Sequence, residues 1–244
     1  VGAAVTRPQS KREIGAVGIV LPVHDEEERL PAALEAIEAA AQALPHGIAS
    51  RAVVVLDHCR DGSTAIARAW GGRTGALVIK RECRSVGAAR RAGSRALLSC
   101  WPAMHAGEIW MATTDADSRV PTNWLTVQLQ AHVSGADLWA GRVRVVEESA
   151  TVHRWRELYE AEGDPVHGAN MGFTATLYRG IGGFGRLRSG EDRDLHRRAV
   201  AAGFMIAHDR KAAVTTSSRR RGRAPGGFAG VLGGVERERL EATA

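Results

Sequence analysis

Four short apolar runs set the frame for this chain: Ala16-Val17-Gly18-Ile19-Val20-Leu21, Ala52-Val53-Val54-Val55-Leu56, Ala76-Leu77-Val78-Ile79 and Ile109-Trp110-Met111-Ala112. None contains a charged residue, which is the pattern of a strand buried on both faces. Each is followed by polar or acidic residues and then by a stretch with helical spacing. The first run stops at Pro22, and the acidic stretch Asp25-Glu26-Glu27-Glu28 leads into Leu30, Leu34, Ile37 and Ala41 at helical intervals; acidic residues suit a helix start. After the second run, Asp61-Gly62-Ser63 turns into a helix with Ser63 or Thr64 as its cap. Gly87 to Leu98 reads as a third helix, with Arg90, Arg91 and Arg95 on its polar side, and Pro121-Thr122-Asn123-Trp124 opens a fourth. Strand and helix thus alternate four times. That predicts an α/β fold, a mostly parallel central sheet flanked by helices, with ligands at the carboxyl edge of the strands.

The second half is less regular. Leu138 to Gly141 and Val143 to Val146 read as extended, Val152 to Glu162 as helix, Phe173 to Tyr178 as strand, and Asp192 to Ala202 as helix. Residues 1–15 read as a flexible tail, 16–223 as one domain, and 224–244, with the Gly-rich stretch Gly226 to Gly234, as a flexible C-terminal segment. At 244 residues and 44% apolar composition the chain can bury a sizeable core.

The net charge is +6, concentrated between Arg179 and Arg223 and including Arg219-Arg220-Arg221-Gly222-Arg223. No aromatic residues interleave with that cluster, so it lacks the stacking platform of a single-strand binder, and nucleic acid is not an expected partner. Cys59, Cys83 and Cys100 form no C-x-x-C pair, which points to neither a disulfide framework nor a zinc site. No apolar run approaches a membrane span and no leader is visible. The expectation is a cytoplasmic protein, with contact at a membrane surface left open.

Polar patches fall at the strand ends: His24-Asp25-Glu26, Asp57-His58, Arg84-Ser85 with Gly87, and Asp115-Ala116-Asp117. In a parallel sheet these ends meet, and a nucleotide fits there. Asp57 is placed to accept a hydrogen bond from base or ribose, Arg84 to contact phosphate, and Gly87 to let backbone approach it. Asp115 and Asp117 lie two apart after a buried strand and so point to one side of the chain. They make a compact oxygen site of the kind Mg²⁺ and Mn²⁺ favour together with substrate phosphates. His208 is a candidate third ligand.

The order of these patches resembles the family 2 glycosyltransferases, over about Val17 to Arg223. Ile19-Val20-Leu21-Pro22-Val23-His24-Asp25-Glu26-Glu27 is similar to the family's first strand and P-x-Y-N-E-E segment. Val53 to Asp57 with Asp61-Gly62-Ser63-Thr64 is similar to its second strand and D-G-S-T turn. Arg84 to Gly93 resembles the R-x-x-G-x-x-x-A-R-N-x-G element, Asp115-Ala116-Asp117 the metal-binding D-x-D, and Gly190-Glu191-Asp192 the E-D pair supplying the catalytic base. His24 and Asp25 replace the usual Tyr-Asn, His58-Cys59-Arg60 lengthen the second loop, and Arg91 stands where Asn is common. The Q-x-x-R-W motif of processive members is absent, which argues for transfer of a single sugar.

The resemblance implies a GT-A type, Rossmann-like single domain with a nucleotide-binding half, 16–118, and an acceptor-binding half, 119–223. It implies a metal-dependent glycosyltransferase using Mn²⁺ or Mg²⁺ and a UDP- or GDP-linked sugar, with inversion at the anomeric carbon. Pro22, Val23, His24, Glu26, Asp57, Arg84, Gly87, Arg90, Asp115 and Ala116 would line the donor, and Asp117 and Asp115 would hold the metal. Asp192 would be the base and Glu191 its orienting partner. Asn170 and His167, in His167-Gly168-Ala169-Asn170-Met171-Gly172, would face sugar or acceptor, and Arg219 belongs to an Arg-rich segment suited to closing over diphosphate. A nucleotidyltransferase of related fold competes, although its first loop is usually Gly-rich and basic. A non-catalytic nucleotide- or anion-binding module, which would not need Asp192, and a retaining mechanism stay open.

Overall fold

The computed structural model describes residues 13–187, 189–220 and 228–241. Seven strands form one sheet in the order β3-β2-β1-β4-β6-β5-β7. They are β1 Ala16–Val23, β2 Ala49–Asp57, β3 Leu77–Arg81, β4 Ile109–Thr113, β5 Leu138–Arg144, β6 Met171–Thr174 and β7 Ile206–Thr215. The helices are α1 Leu30–Gln42, α2 Ser63–Thr74, α3 Val86–Leu98, α4 Trp124–Val133, α5 Ala150–Ala161, α6 Ala175–Gly180, α7 Glu191–Ala201 and α8 Phe228–Glu241. Strands β1 to β4 pair in parallel, β6 runs antiparallel to β4 and β5, and β5 and β7 are parallel.

Alternate strand residues feed two layers, as a pleated strand requires. Val17, Ile19 and Leu21 of β1 pack under α1, α2 and α4, with Trp70 and Trp124 in that layer. Val20, Val53 and Val55 pack against Ala89 and Leu97 of α3 and against Leu195 and Ala199 of α7. A third cluster joins Trp155 and Tyr159 of α5 to Leu232 and Val235 of α8.

Several elements depart from the sequence reading. β1 continues through Pro22 to Val23. Its pairing with β4 ends at Val20, so the missing proline N–H leaves no gap on that side. The cap of α2 is Gly62, and Ser63 is its first helical residue. Phe173 to Tyr178 divides into the end of β6 and the helix α6, where Thr174 Oγ1 accepts from Leu177 N at 3.1 Å. β7 was not expected. It carries His208, Asp209, Arg210 and Lys211, and such charge suits a strand at the sheet's edge.

The termini also differ. Residues 1–12 of the expected tail lie outside the described residues, but Ile14 is buried and Gly15 bonds Glu108 O and Ala49 N. At the other end the flexible-segment reading is corrected over 228–241: these residues form α8, because Leu232 and Val235 find an apolar face on α5. Residues 221–227 and 242–244 are outside the described residues.

Candidate active site

The loops after β1 and β2 are laced together. His24 Nδ1 donates to Asp57 O at 2.6 Å, Asp25 Oδ1 accepts from Arg60 N at 2.6 Å, and Asp61 Oδ2 accepts from Glu27 N at 2.9 Å. Glu27 Oε2 in turn accepts from Gly62 N at 2.7 Å. The extra residues His58-Cys59-Arg60 are therefore tied to the first loop. Asp25, His58 and Arg84, one after each of β1, β2 and β3, all hold left-handed backbone, with φ of 50°, 55° and 53°. Non-glycine residues seldom adopt that conformation, and where they do it is held by surrounding bonds. Asp57 Oδ1 supplies some of them, accepting from Cys83 N at 2.7 Å and Arg84 N at 3.1 Å. A cleft of about 380 Å³ lined by Asp25, Glu26, Glu27, Glu28, Arg29, Arg60 and Asp61 opens at this edge. Pro22 and Val23 end β1 beside it, and Val23 is buried.

Asp115, Ala116 and Asp117 follow β4, with Ala116 buried between the carboxylates. Asp117 Oδ2 lies 3.0 Å from Arg219 Nη2, and its Oδ1 accepts from Ser118 Oγ at 3.2 Å. Burial, and then the Asp115 carboxylate, push the Asp117 carboxyl up to about 6, against the pull of Arg219. Arg219 Nη1 also bonds Glu26 Oε1 at 2.6 Å. A buried all-oxygen group that already draws in a cation suits a hard divalent ion. No group of three or more His, Cys, Asp or Glu is arranged around a metal among the described residues, so phosphate oxygens would complete the set, as is usual for Mg²⁺. His208 is not in this group. It lies on β7, three strands from β4, with its ring 5.4 Å from that of His196 on α7.

Arg90 joins the two halves of the sheet edge. Expected on the polar side of α3, it is instead only 2% exposed. Its Nη2 pairs with Asp115 Oδ1 and its Nη1 with Glu191 Oε1. Gly168 packs so tightly on this guanidinium that a Cβ there would sit 2.3 Å from Nη1. Gly87, read as an approach for phosphate, gives its room to protein: an added Cβ would lie 2.5 Å from Gly185 O and 3.0 Å from Glu191 Cβ. Burial raises the Glu191 carboxyl, and Arg90 opposes the shift.

Asp192, next on α7, is part-exposed. Its Oδ2 accepts from Gly168 N at 2.8 Å and its Oδ1 from Arg193 N at 2.8 Å. Gly168 thus fixes the Asp192 carboxylate, a contact the sequence reading did not single out, since its neighbours come from far along the chain. His167 Nε2 lies 2.9 Å from the Tyr159 hydroxyl. That hydroxyl accepts from Val143 N, which leaves its proton for the imidazole, and burial lowers the His167 pKa. Asn170 does not face the site. It is fully buried, its Nδ2 donates to Arg142 O at 2.7 Å and Ala212 O at 2.9 Å, and its Oδ1 accepts from Trp124 Nε1 at 2.8 Å.

The sequence model described as glycosyl transferase family 2 matches residues 18–200. The chain belongs to that family. A search of curated proteins finds no match. Among solved structures, this family 2 chain is similar to the mannosyltransferase PcManGT from Pyrobaculum calidifontis, determined in complex with GDP-Man and Mn²⁺. The TM-score is 0.64 at 17% identity, over 95% of this chain and 73% of that one. TarS 1-349 of S. aureus gives 0.62 at 14% identity, over 84% of this chain and 61% of TarS 1-349. GalNAc-T7, determined with UDP, GalNAc and Mn²⁺, gives 0.62 at 11%, over 83% of this chain and 44% of that one. At these identities the likeness speaks for the fold, which is of the GT-A type. No helix among the described residues is long and apolar enough to cross a membrane.

Proposed function

We propose that the chain is a metal-dependent glycosyltransferase that moves one sugar from a nucleotide-diphosphate sugar to an acceptor hydroxyl, with inversion. The observation that carries this reading is the Arg90 bridge: one guanidinium pairs with the Asp115 carboxylate after β4 and with Glu191 at the start of α7, which brings the two acidic motifs together. A donor-side acid pair and a part-exposed carboxylate suited to proton transfer then share a single site. Family membership supports the reading, as do solved structures of this fold determined with GDP-Man and Mn²⁺ or with UDP, GalNAc and Mn²⁺.

In this reading the nucleotide lies along the ends of β1, β2 and β3, against Pro22, Val23, His24, Asp57 and Arg84. A divalent cation at Asp117, with Asp115 beside it, would supply charge neutralisation for the departing diphosphate. Asp192 takes the acceptor proton as the acceptor oxygen bonds to the anomeric carbon and the bond to diphosphate breaks. Two backbone N–H groups hold the Asp192 carboxylate in place. Glu191, paired to Arg90, fixes the start of α7. His167 borders the acceptor side of Asp192, and Arg219 is within reach of the diphosphate.

Replacing Asp192 by Asn keeps shape and removes the base. The expected result is a fall in kcat of at least about a hundredfold, the range ascribed to a positioned general base, with nucleoside diphosphate affinity unchanged by calorimetry. A variant with wild-type kcat would overturn the assignment of Asp192. NMR of the product anomer tests inversion.

A further inference from the structure

Arg219 occupies an unusual place. It follows β7 and reaches back to the ends of β1 and β4, where one guanidinium serves two carboxylates: Glu26 Oε1 at 2.6 Å and Asp117 Oδ2 at 3.0 Å. Glu26 is buried and Asp117 nearly so, with 6% and 11% of their side chains exposed. Two buried carboxylates facing each other repel unless a cation stands between them, and in this state the guanidinium is that cation.

We propose that Arg219 holds the berth of the divalent cation, that Glu26 and Asp117 are its two carboxylate walls, and that ion and guanidinium exclude each other. This rests on the reading of Asp117 as the metal-bearing residue and adds Glu26, which the D-x-D pattern does not contain. Asp115 is the weaker candidate for the second wall, because its Oδ1 is already paired to Arg90. Oxygens that share a guanidinium need close only to about 4 Å to share an ion of Mg²⁺ size, at about 2.1 Å from each.

The exchange needs only a side-chain movement. The next residue, Arg220, is fixed by Glu147 Oε1 at 2.5 Å and by Glu236 Oε1 of α8 at 3.5 Å. Its carbonyl packs against Gly233, where a Cβ would lie 2.7 Å away. The backbone is therefore held while the Arg219 side chain swings free, one residue from an anchored neighbour. The released guanidinium then faces the side on which a diphosphate would lie, and Arg pairs well with phosphate.

The test is Mn²⁺ binding to the full chain without nucleotide, followed by the electron paramagnetic resonance signal of free Mn²⁺. Arg219→Gln is expected to bind Mn²⁺ about tenfold more tightly than the wild type, equivalent to about 1.4 kcal/mol. Arg219→Lys, which keeps a charge, should fall between. Glu26→Gln should bind more weakly than the wild type, and Asp117→Asn should lose binding. Melting temperatures check that each variant is folded, and Arg219→Lys carries the test if Arg219→Gln is not. Equal or weaker binding by folded Arg219→Gln would overturn the exclusion, and an unchanged Glu26→Gln would remove Glu26 from the site. If the wild type turns over a nucleotide sugar while those results go against the inference, only the inference falls. If neither the wild type nor any variant binds Mn²⁺ or a nucleoside diphosphate at millimolar concentration, the transferase reading falls with it.

Discussion

Asn170 commits its entire side-chain amide to the fold. Its Oδ1 takes the Trp124 indole N–H of α4, and its Nδ2 bonds Arg142 O on β5 and Ala212 O on β7. One side chain therefore ties three elements at the level where the sheet meets the site. Substitution by Ala removes all three bonds and leaves the buried Trp124 N–H without its acceptor. A buried donor stripped of its partner costs about 1–3 kcal/mol, so Asn170→Ala should lose at least about 2 kcal/mol in urea unfolding. Its donor KM, measured on the folded enzyme, should match the wild type. A large rise in KM with unchanged stability would restore Asn170 to the sugar pocket. Residue type misled here: a polar residue among small ones before a strand reads as a ligand contact, and only the fold reveals three backbone and indole partners waiting for it.

At the scale of elements, α3 sits close on the sheet because glycines let it. A Cβ at Gly93 would lie 2.6 Å from Val20 Cγ1 and 2.8 Å from Val55 Cγ2. On helix propensity alone Gly93→Ala gains about 1 kcal/mol. Overpacking a filled core costs about 1–3 kcal/mol, and this contact meets two β-branched side chains that cannot turn away. The variant is expected to be less stable than the wild type in chemical denaturation, and Val20→Ala added to it should recover part of the loss. A Gly93→Ala more stable than the wild type would show that α3 has room to lift. The first four strands and their helices were legible because each apolar run is unbroken and each helix keeps its period, although β3, at the sheet's edge, is only partly buried rather than covered on both faces. The later elements were not. β7 carries the unbroken polar run His208-Asp209-Arg210-Lys211, which reads as a loop and is tolerated because the strand lies at the sheet's edge. The β6–α6 boundary is set by one Thr174 cap inside an apolar run. α8 has a Gly-rich sequence that becomes helix where α5 offers Trp155 and Tyr159.

For the whole molecule, the candidate site is a set of buried and half-buried charges whose partners lie far apart in sequence. The acids themselves were legible: Asp57, Asp115, Asp117, Glu191 and Asp192 fall at strand and helix ends where motif and topology both place them. Their counter-charges were not. Arg90 meets Glu191 across 101 residues and Arg219 meets Glu26 across 193, and no spacing rule spans that distance. The arrangement has a consequence for stability against pH in the metal-free protein. Asp117 is raised from 3.8 to about 6, chiefly by burial. Below 3.8 it is protonated whether the chain is folded or not. There the proton's contribution to stability is complete; between 3.8 and 6 the unfolded chain loses its proton while the folded chain keeps it, so stability falls as pH rises. That contribution disappears as pH rises through about 6, where the buried carboxylate ionises. Asp117→Asn removes the ionisation. In EDTA the variant should therefore be more stable than the wild type at pH 8, by up to about 3 kcal/mol, since each tenfold change in proton affinity is worth about 1.4 kcal/mol. The gap should narrow steadily as pH falls from 6 toward 4. His167 works the other way: burial lowers its pKa from 6.5, so its contribution is present above 6.5 and lost as pH falls through its folded value. That trend is common to both proteins and cancels in their difference. Saturating Mn²⁺ at pH 8 should invert the order, since an ion that binds only the native wild type raises its stability by mass action. An Asp117→Asn variant less stable than the wild type in EDTA at every pH would mean that the Arg219 pairing outweighs the burial of the Asp117 charge.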